Sequence, residues 1–449
     1  MQTKITIIGA GSGAFSLSMI RDICLTPNLQ GATVCFMDIN AERLEAAYTL
    51  CRRYAEELGF ALHLEKTLDR RVALEGADFV INTALAAPHE RLRAGWAIAQ
   101  RLGYNWGGSF HVMYDEAFWV NFYQLRLFES LIEDALQICP NAWHLQVANP
   151  VLAGITHLAR KYPQARIVGL CHGFSGIYGV ARTLGLDEPE HLTFEIPGVN
   201  HFVWCTHLYY KGQDVFPLLD RWIEEEAPRW QAEDKRAPGL EPKIIDLYRR
   251  FHAIPIGDTA HWSGAAWPLW YHSDEQVEQR WREHPVDGWN GYFEHVAKSA
   301  EEMQRVTADP ALKLTEHYPP KVSGEPMVPI IEAIACDIPR VVIGNIQNVG
   351  NFVPGIPADF EVEIPTLVSR RGIEGIQTQG LPRALLSHIL RDRVAPVNLE
   401  LEAYNTGSKE LLFQLVMMDP WSRSEAQARQ LIDEVLALPY HAEMRAHYR

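Results

Sequence analysis

At 449 residues the chain is longer than one ordinary domain, so two closely packed domains are expected. Its 47% hydrophobic and 22% charged content is that of a soluble globular protein with ample core. Forty-one basic against 56 acidic residues leave a net charge of −15, which argues against nucleic acid or anionic membrane as partners but not against a local basic pocket. Seven scattered cysteines without a CxxC pair point to a reducing compartment rather than a disulfide framework. The chain enters a strand at once, without a signal-peptide pattern, and no apolar run is long enough to span a bilayer. A cytoplasmic location is therefore expected.

Residues 4–8 read as a β-branched strand, followed by Gly9-Ala-Gly-Ser-Gly-Ala14 and a helix over 15–25. Strand, glycine turn and helix are the context that a dinucleotide fingerprint requires. Gly9 permits the tight turn, Gly11 lets backbone approach a pyrophosphate, and Ala14 stands at the third small position, where helix packs on strand. Ser12 and Gly13 complete the loop at a helix N-terminus that attracts phosphate. A second strand, 32–37, ends in Asp38, placed to accept ribose hydroxyls and to repel a 2′-phosphate; NAD is thus expected over NADP. A βαβ unit with a tight turn and no ligand is the plainer alternative.

Asn40 caps a helix to about residue 58. Strands follow at 61–65 and 76–83, the latter ending in Asn82 and Thr83, polar groups where parallel sheets place ligands or caps. Residues 88–114 read as partly irregular site wall carrying Arg91, Arg93 and His111. A long amphipathic helix spans 115–138 and a fifth strand 143–148, halted at Asn149-Pro150. A helix over 151–161 leads to a sixth strand, 166–170, which delivers Cys171 and His172 to a glycine turn. Alternating strands and helices predict a Rossmann-type, doubly wound parallel α/β sheet. Beyond 192 the elements are grouped: a β-like stretch over 193–211, a hairpin turn at 209–214, helix over 224–250, a Trp-, Gly- and Pro-rich loop at 254–272, helix at 328–337, strands at 340–350 and 360–365, and helices at 382–391, 399–418 and 424–438. That half is expected to be α+β, giving domains 1–192 and 193–449.

Cys171 and, thirty residues on, His201 offer one soft and one borderline ligand to a divalent transition metal. A buried cysteine is ordinarily packing, and a lone histidine is more often a satisfied core residue. The clustered tryptophans between Trp262 and Trp289 suit flat ligands such as sugars, or a large core.

The chain resembles glycoside hydrolase family 4, whose members use NAD and a divalent metal instead of the usual carboxylate pair. Ile8-Gly-Ala-Gly-Ser12, Asp38-Ile39, Phe79-Val-Ile-Asn-Thr83, Ala142-Trp143, Asn149-Pro150, Cys171-His-Gly173, Gly198-Val-Asn-His201, Asn348-Val-Gly350, Leu381-Pro382, Glu402-Ala403 and Asp419-Pro420 carry the resemblance in order along the chain. Cys171-His-Gly-Phe174 is similar to the subgroup acting on α-linked uronic acids, α-galacturonides or α-glucuronides, with galacturonide favoured. The resemblance implies that Cys171 and His201 hold Mn²⁺ or a similar ion, that Asn149 binds the sugar and that His172 is the general acid. It implies C3 oxidation by NAD, C2 deprotonation, elimination, water addition and re-reduction. It also implies a substrate domain like that of lactate and malate dehydrogenases and a homodimer or homotetramer.

Two departures stand out. Many relatives carry a Gln-Glu-Thr-type segment where this chain has Gly107-Gly-Ser-Phe-His-Val-Met-Tyr-Asp-Glu116. Many also carry a tyrosine base in the loop matching Gly257-Asp-Thr-Ala-His-Trp262. Asp258 is the first candidate base here, a metal-bound hydroxide the second and Tyr271 the third; Asp258 could equally cap its loop. Arg91 or Arg93 would meet the substrate carboxylate through a bidentate pair, and His111 is a further substrate-binding candidate. The competing functions are a 2-hydroxyacid dehydrogenase, which consumes NAD stoichiometrically, and a nucleotide-sensing regulator, in which Cys171, His172 and His201 would have no purpose.

Overall fold

A nine-stranded sheet frames the computed structural model, which describes residues 3–233, 235 and 237–449. Six strands are parallel: β1 (Lys4–Ile8), β2 (Thr33–Met37), β3 (His63–Thr67), β4 (Phe79–Asn82), β5 (Trp143–Gln146) and β6 (Arg166–Gly169), in the order β3-β2-β1-β4-β5-β6. β2 and β4 are buried along their whole length, as expected of strands covered on both faces. The chain order reverses between β1 and β4, so the glycine turn after Ile8 opens at the switch point where such sheets bind ligands.

The strand Arg340–Gln347 pairs antiparallel with β6 through Asn345 and Gly169 and extends the same sheet. Glu361–Ser369 and Gly372–Gly375 follow it as antiparallel neighbours. Strands of the second half thereby stand beside the strand that ends at Cys171. Two three-stranded antiparallel sheets complete the architecture. One holds Leu192–Glu195, His207–Tyr210 and Gln213–Asp214, and the other Gly198–Val199, Phe202–Cys205 and Ile254–Ile256.

The stretch 88–114, expected to be partly irregular, begins with a helix, His89–Arg101, that buries Leu92, Trp96 and Ala99. The helix expected over 224–250 is three, Phe216–Glu225, Ala227–Ala232 and Pro242–Phe251, each opened by a proline in its first turn. Asp234 and Arg236 in that span, like Met1 and Gln2, lie outside the described residues. A further helix, Pro285–Ala308, is not announced by periodicity because it buries only Pro285, Trp289, Met303 and Val306, too sparse a set to form a stripe. It lays Met303 over the glycine turn and Trp289 into the aromatic core. No helix among the described residues is long and apolar enough to cross a membrane.

Candidate active site

β6 ends at Gly169, and the chain turns through Cys171, where the Gly173 N–H donates to Sγ at 3.3 Å. His201 stands at the tight turn between Gly198–Val199 and Phe202–Cys205 and takes φ +57°, a backbone state seldom used by a side chain of its size. Asp258 stands in the turn after Ile254–Ile256, which pairs with the strand following His201. Thr259 ties that turn down, its Oγ1 lying 2.8 Å from both the N–H and the C=O of Val203. Gly257 takes φ +59°, and a Cβ there would come 2.4 Å from the Gly173 carbonyl oxygen. A glycine thus lets the Cys171 and Asp258 turns meet.

The ligand atoms of Cys171, His201 and Asp258 all lie within 4.8 Å of one another, with His201 Nε2 3.5 Å from Asp258 Oδ2. An ion with bonds of about 2.0–2.3 Å spans such separations, and the donors are thiol, imidazole and carboxylate. His201 turns its other nitrogen, Nδ1, to the Tyr114 hydroxyl at 2.5 Å, with Glu116 Oε1 at 3.5 Å. A partner on the far nitrogen is what a metal-binding imidazole requires. The residues therefore fit a divalent ion. Ser263 donates to Asp258 Oδ1, leaving Oδ2 toward His201.

The surroundings are strongly acidic. The Asn200 N–H donates to Glu361 Oε2 at 3.1 Å and its amide to Glu363 Oε2 at 3.0 Å, both carboxyl groups being buried. Burial, reinforced by Glu363, holds Glu361 well above the carboxylate range, and burial raises Glu363 to about 7. Asp115 is likewise raised to about 7 by burial and then by Glu116. Burial also raises the Cys171 thiol; for His201 burial acts downward but is outweighed by the charge and hydrogen bond of Cys171, the hydrogen bond of Glu116 and the charge of Asp258, which raise it. A divalent ion bound here would displace protons from these groups. Arg393, buried on a π-helical turn, covers the rings of Phe110 and Phe202 at 3.8 and 4.5 Å.

Asn149 donates to Asp115 Oδ2 at 3.2 Å, so it belongs to this cluster. His172, beside Cys171, has Nδ1 3.7 Å from Glu325 Oε1. At the nucleotide end, the Gly11 N–H donates to Asp38 Oδ2 and the Asn40 N–H to Oδ1, both at 2.8 Å. A Cβ on Gly11 would lie 2.6 Å from that Oδ2, and one on Gly13 only 1.5 Å from Met303 Sδ. Close helix packing therefore falls at Gly13, whereas Ala14 and Ser12 are exposed on the helix N-terminus. The bare turn, the free helix N–H groups and Asp38 fit a dinucleotide.

Other predicted residues are engaged elsewhere. Asn82 donates to Gln146 Oε1 at 3.0 Å and accepts from the Ala84 N–H, joining the ends of β4 and β5. His111 is buried 3.2 Å from Glu400, where the sequence reading gave it to substrate. The guanidinium of Arg91 packs on the rings of Tyr123 and Tyr440, and that of Arg93 on Phe293. Tyr271, the third candidate base, donates its hydroxyl to Asp246. Sequence reasoning did not single out Tyr114, Asp115, Glu116, Asn200, Glu361 or Glu363. The departure at 107–116 was the one available signal for the first three.

The fold is that of the dinucleotide-binding α/β class, and a Cryptosporidium parvum malate dehydrogenase shares it at TM-score 0.52 and 15% identity, over 90% of this chain and 99% of that one. The chain belongs to glycosyl hydrolase family 4: the family 4 glycosyl hydrolase model matches residues 4–186, and the model of its C-terminal domain matches 196–422. Similar proteins include an alpha-glucosidase of Erwinia rhapontici (25% identity, 97% of this chain and 98% of that one) and an alpha-galacturonidase of Lachnoclostridium phytofermentans (23%, 96% and 95%). A 6-phospho-alpha-glucosidase from gut microorganisms, solved in complex with NAD and Mn²⁺, has TM-score 0.78 at 19% identity, over 98% of each chain.

Proposed function

We propose that this chain is an NAD- and divalent-metal-dependent glycosidase of α-linked uronic acids, with α-galacturonides the first choice and α-glucuronides the second. The observation that carries the proposal is the convergence of Cys171, His201 and Asp258 at the end of β6, in a sheet whose switch point bears the glycine turn. The uronate class is supported by Cys171-His-Gly-Phe174 and by alpha-galacturonidases among the similar proteins.

When bound, NAD supplies reversible hydride removal at C3 of the sugar, and the ion, Mn²⁺ foremost, supplies Lewis acidity beside C2. Gly9, Gly11, Ser12, Gly13 and Ala14 hold the pyrophosphate; Asp38 keeps lone pairs for the ribose beyond its two backbone bonds. Cys171 and His201 hold the ion. Asp258, fixed by Ser263 through Oδ1, is assigned here as the base for the C2 proton beside the ion's two ligands, not as a third ligand. His172, whose Nδ1 lies 3.7 Å from Glu325 Oε1, delivers a proton to the glycosidic oxygen. Asn149, pinned by Asp115, orients the sugar hydroxyls. Asn82, bonded to Gln146, and His111, facing Glu400, are given no part here, nor is Arg91, whose guanidinium lies over the rings of Tyr123 and Tyr440.

The test is hydrolysis of p-nitrophenyl α-galacturonide and α-glucuronide with NAD, Mn²⁺ and reductant, then after complete stripping of both. Turnover without net NADH is expected, with deuterium at C2 of sugar released in deuterated water. Activity that persists without NAD and metal would refute the proposal, and stoichiometric NADH would favour a dehydrogenase.

A further inference from the structure

A cavity of about 640 Å³ lies beside the Asp258 turn, walled by Trp222, Trp230, Trp262 and Trp281 and reached by His261 and Glu283. Cys171, His201 and Asp258 do not line it. We propose that it is a subsite for a neutral hexopyranose, the sugar on the leaving-group side of the scissile bond, an assignment that rests on the glycosidase function above.

The cavity and the cluster share a wall. His261 and Trp262 follow Asp258 in the same turn, and His261 Nδ1 lies 3.2 Å from Ser263 Oγ, the hydroxyl that bonds Asp258. Trp262, in that turn, is itself one of the four indoles that wall the cavity. Its volume suits one or two sugar rings. Indole faces pack against the C–H faces of a pyranose, and a sugar also needs polar groups at its rim.

Those are built in. Glu283 accepts from Lys243 Nζ at 3.1 Å; Lys243 has 1% of its side chain exposed and also contacts His272 Nε2 at 3.2 Å. A buried lysine held by a cavity-lining carboxylate fixes an acceptor in place, which loose surface charge does not. Among the lining residues Lys235 and Arg282 stand with Glu241 and Glu283, a mixed set without a surplus of cations, which favours an uncharged ring over a second uronate.

Trp230→Ala, at a half-buried indole, tests the wall, and Glu283→Gln, nearly isosteric, tests the rim without removing packing. Each is assayed on methyl α-galacturonide and on an α-galacturonosyl-galactose disaccharide. We expect kcat/KM on the disaccharide to fall about tenfold in Trp230→Ala, with the methyl glycoside changed by less than about twofold. Glu283→Gln should show the same split at smaller size. Equal losses on both substrates, or none on either, would overturn the subsite. Titration of tryptophan fluorescence with lactose reads the cavity without turnover. Saturable quenching in the wild type, weakened in Trp230→Ala, supports it, and absence of quenching overturns it. If the wild type cleaves neither uronide, the glycosidase proposal fails and the lactose titration alone decides the cavity.

Discussion

Replacing Tyr114 by Phe removes one hydroxyl from the aromatic core and leaves the ring. That ring stacks on Phe110 at 4.5 Å between centroids and meets Trp289 edge-on at 5.9 Å, contacts a phenylalanine retains. What is lost is the 2.5 Å hydrogen bond to His201 Nδ1. With an ion on Nε2, the imidazole proton sits on Nδ1 and needs an acceptor. Glu116 Oε1, 3.5 Å away, can shift to take it. Losing such a partner costs a metal-binding histidine about 10- to 100-fold in affinity. With Glu116 in reserve, the lower end is expected, about tenfold or ~1.4 kcal/mol. The assay is Mn²⁺ binding to metal-free protein, read from the electron paramagnetic resonance signal of free Mn²⁺, with Cys171→Ser as the variant expected to lose the site. Mn²⁺ affinity in Tyr114→Phe equal to wild type within twofold would refute the role given to Tyr114.

Gly11→Ala places a methyl 2.6 Å from Asp38 Oδ2, so NAD-induced thermal stabilisation should largely disappear while Mn²⁺ binding is retained; intact stabilisation by NAD would contradict the turn's assignment. Gly95→Ala drives a methyl to 2.1 Å from Trp119; overpacking there should cost about 1–3 kcal/mol in urea unfolding, and an unchanged midpoint would show that the helices can part freely. Glu129 is brought down from 4.5 to about 2, burial opposing and the bonds from His157 and Lys161 prevailing. Its folded-state value being depressed, its contribution is complete above about pH 4.5 and is lost as pH falls toward about 2, at most ~3 kcal/mol. Glu129→Gln should flatten the acid limb of stability measured by circular dichroism, and an unaltered limb would disprove the coupling. Finally, Mn²⁺ uptake near pH 7 should release protons, seen as a dependence of the calorimetric heat on the buffer's ionisation enthalpy; no dependence would mean that the ion displaces no proton from Cys171, His201 or the neighbouring carboxyls.

The amino-acid sequence by itself determined the nucleotide half of this protein. A β-branched strand, Gly9 to Ala14 and Asp38 at the next strand end are local in the chain, and backbone sterics and side-chain period act over a few residues. Cys171 and His201 were legible as candidates because each follows or interrupts a strand-like run, and the order of short motifs supplied the family. Their convergence with Asp258 was decided by tertiary structure, through Gly257 passing against Gly173 and Thr259 locking onto Val203. Glu361-Val-Glu-Ile364 alternates like a strand with one wet face, yet both glutamates are buried on Asn200. Likewise Tyr114 and Glu116 read only as residues around the start of a long helix until the fold sets them on His201. Periodicity reports which face of an element is apolar. It does not report which distant element will cover a face, and burial against that element is what turns a carboxyl or a hydroxyl into part of a site.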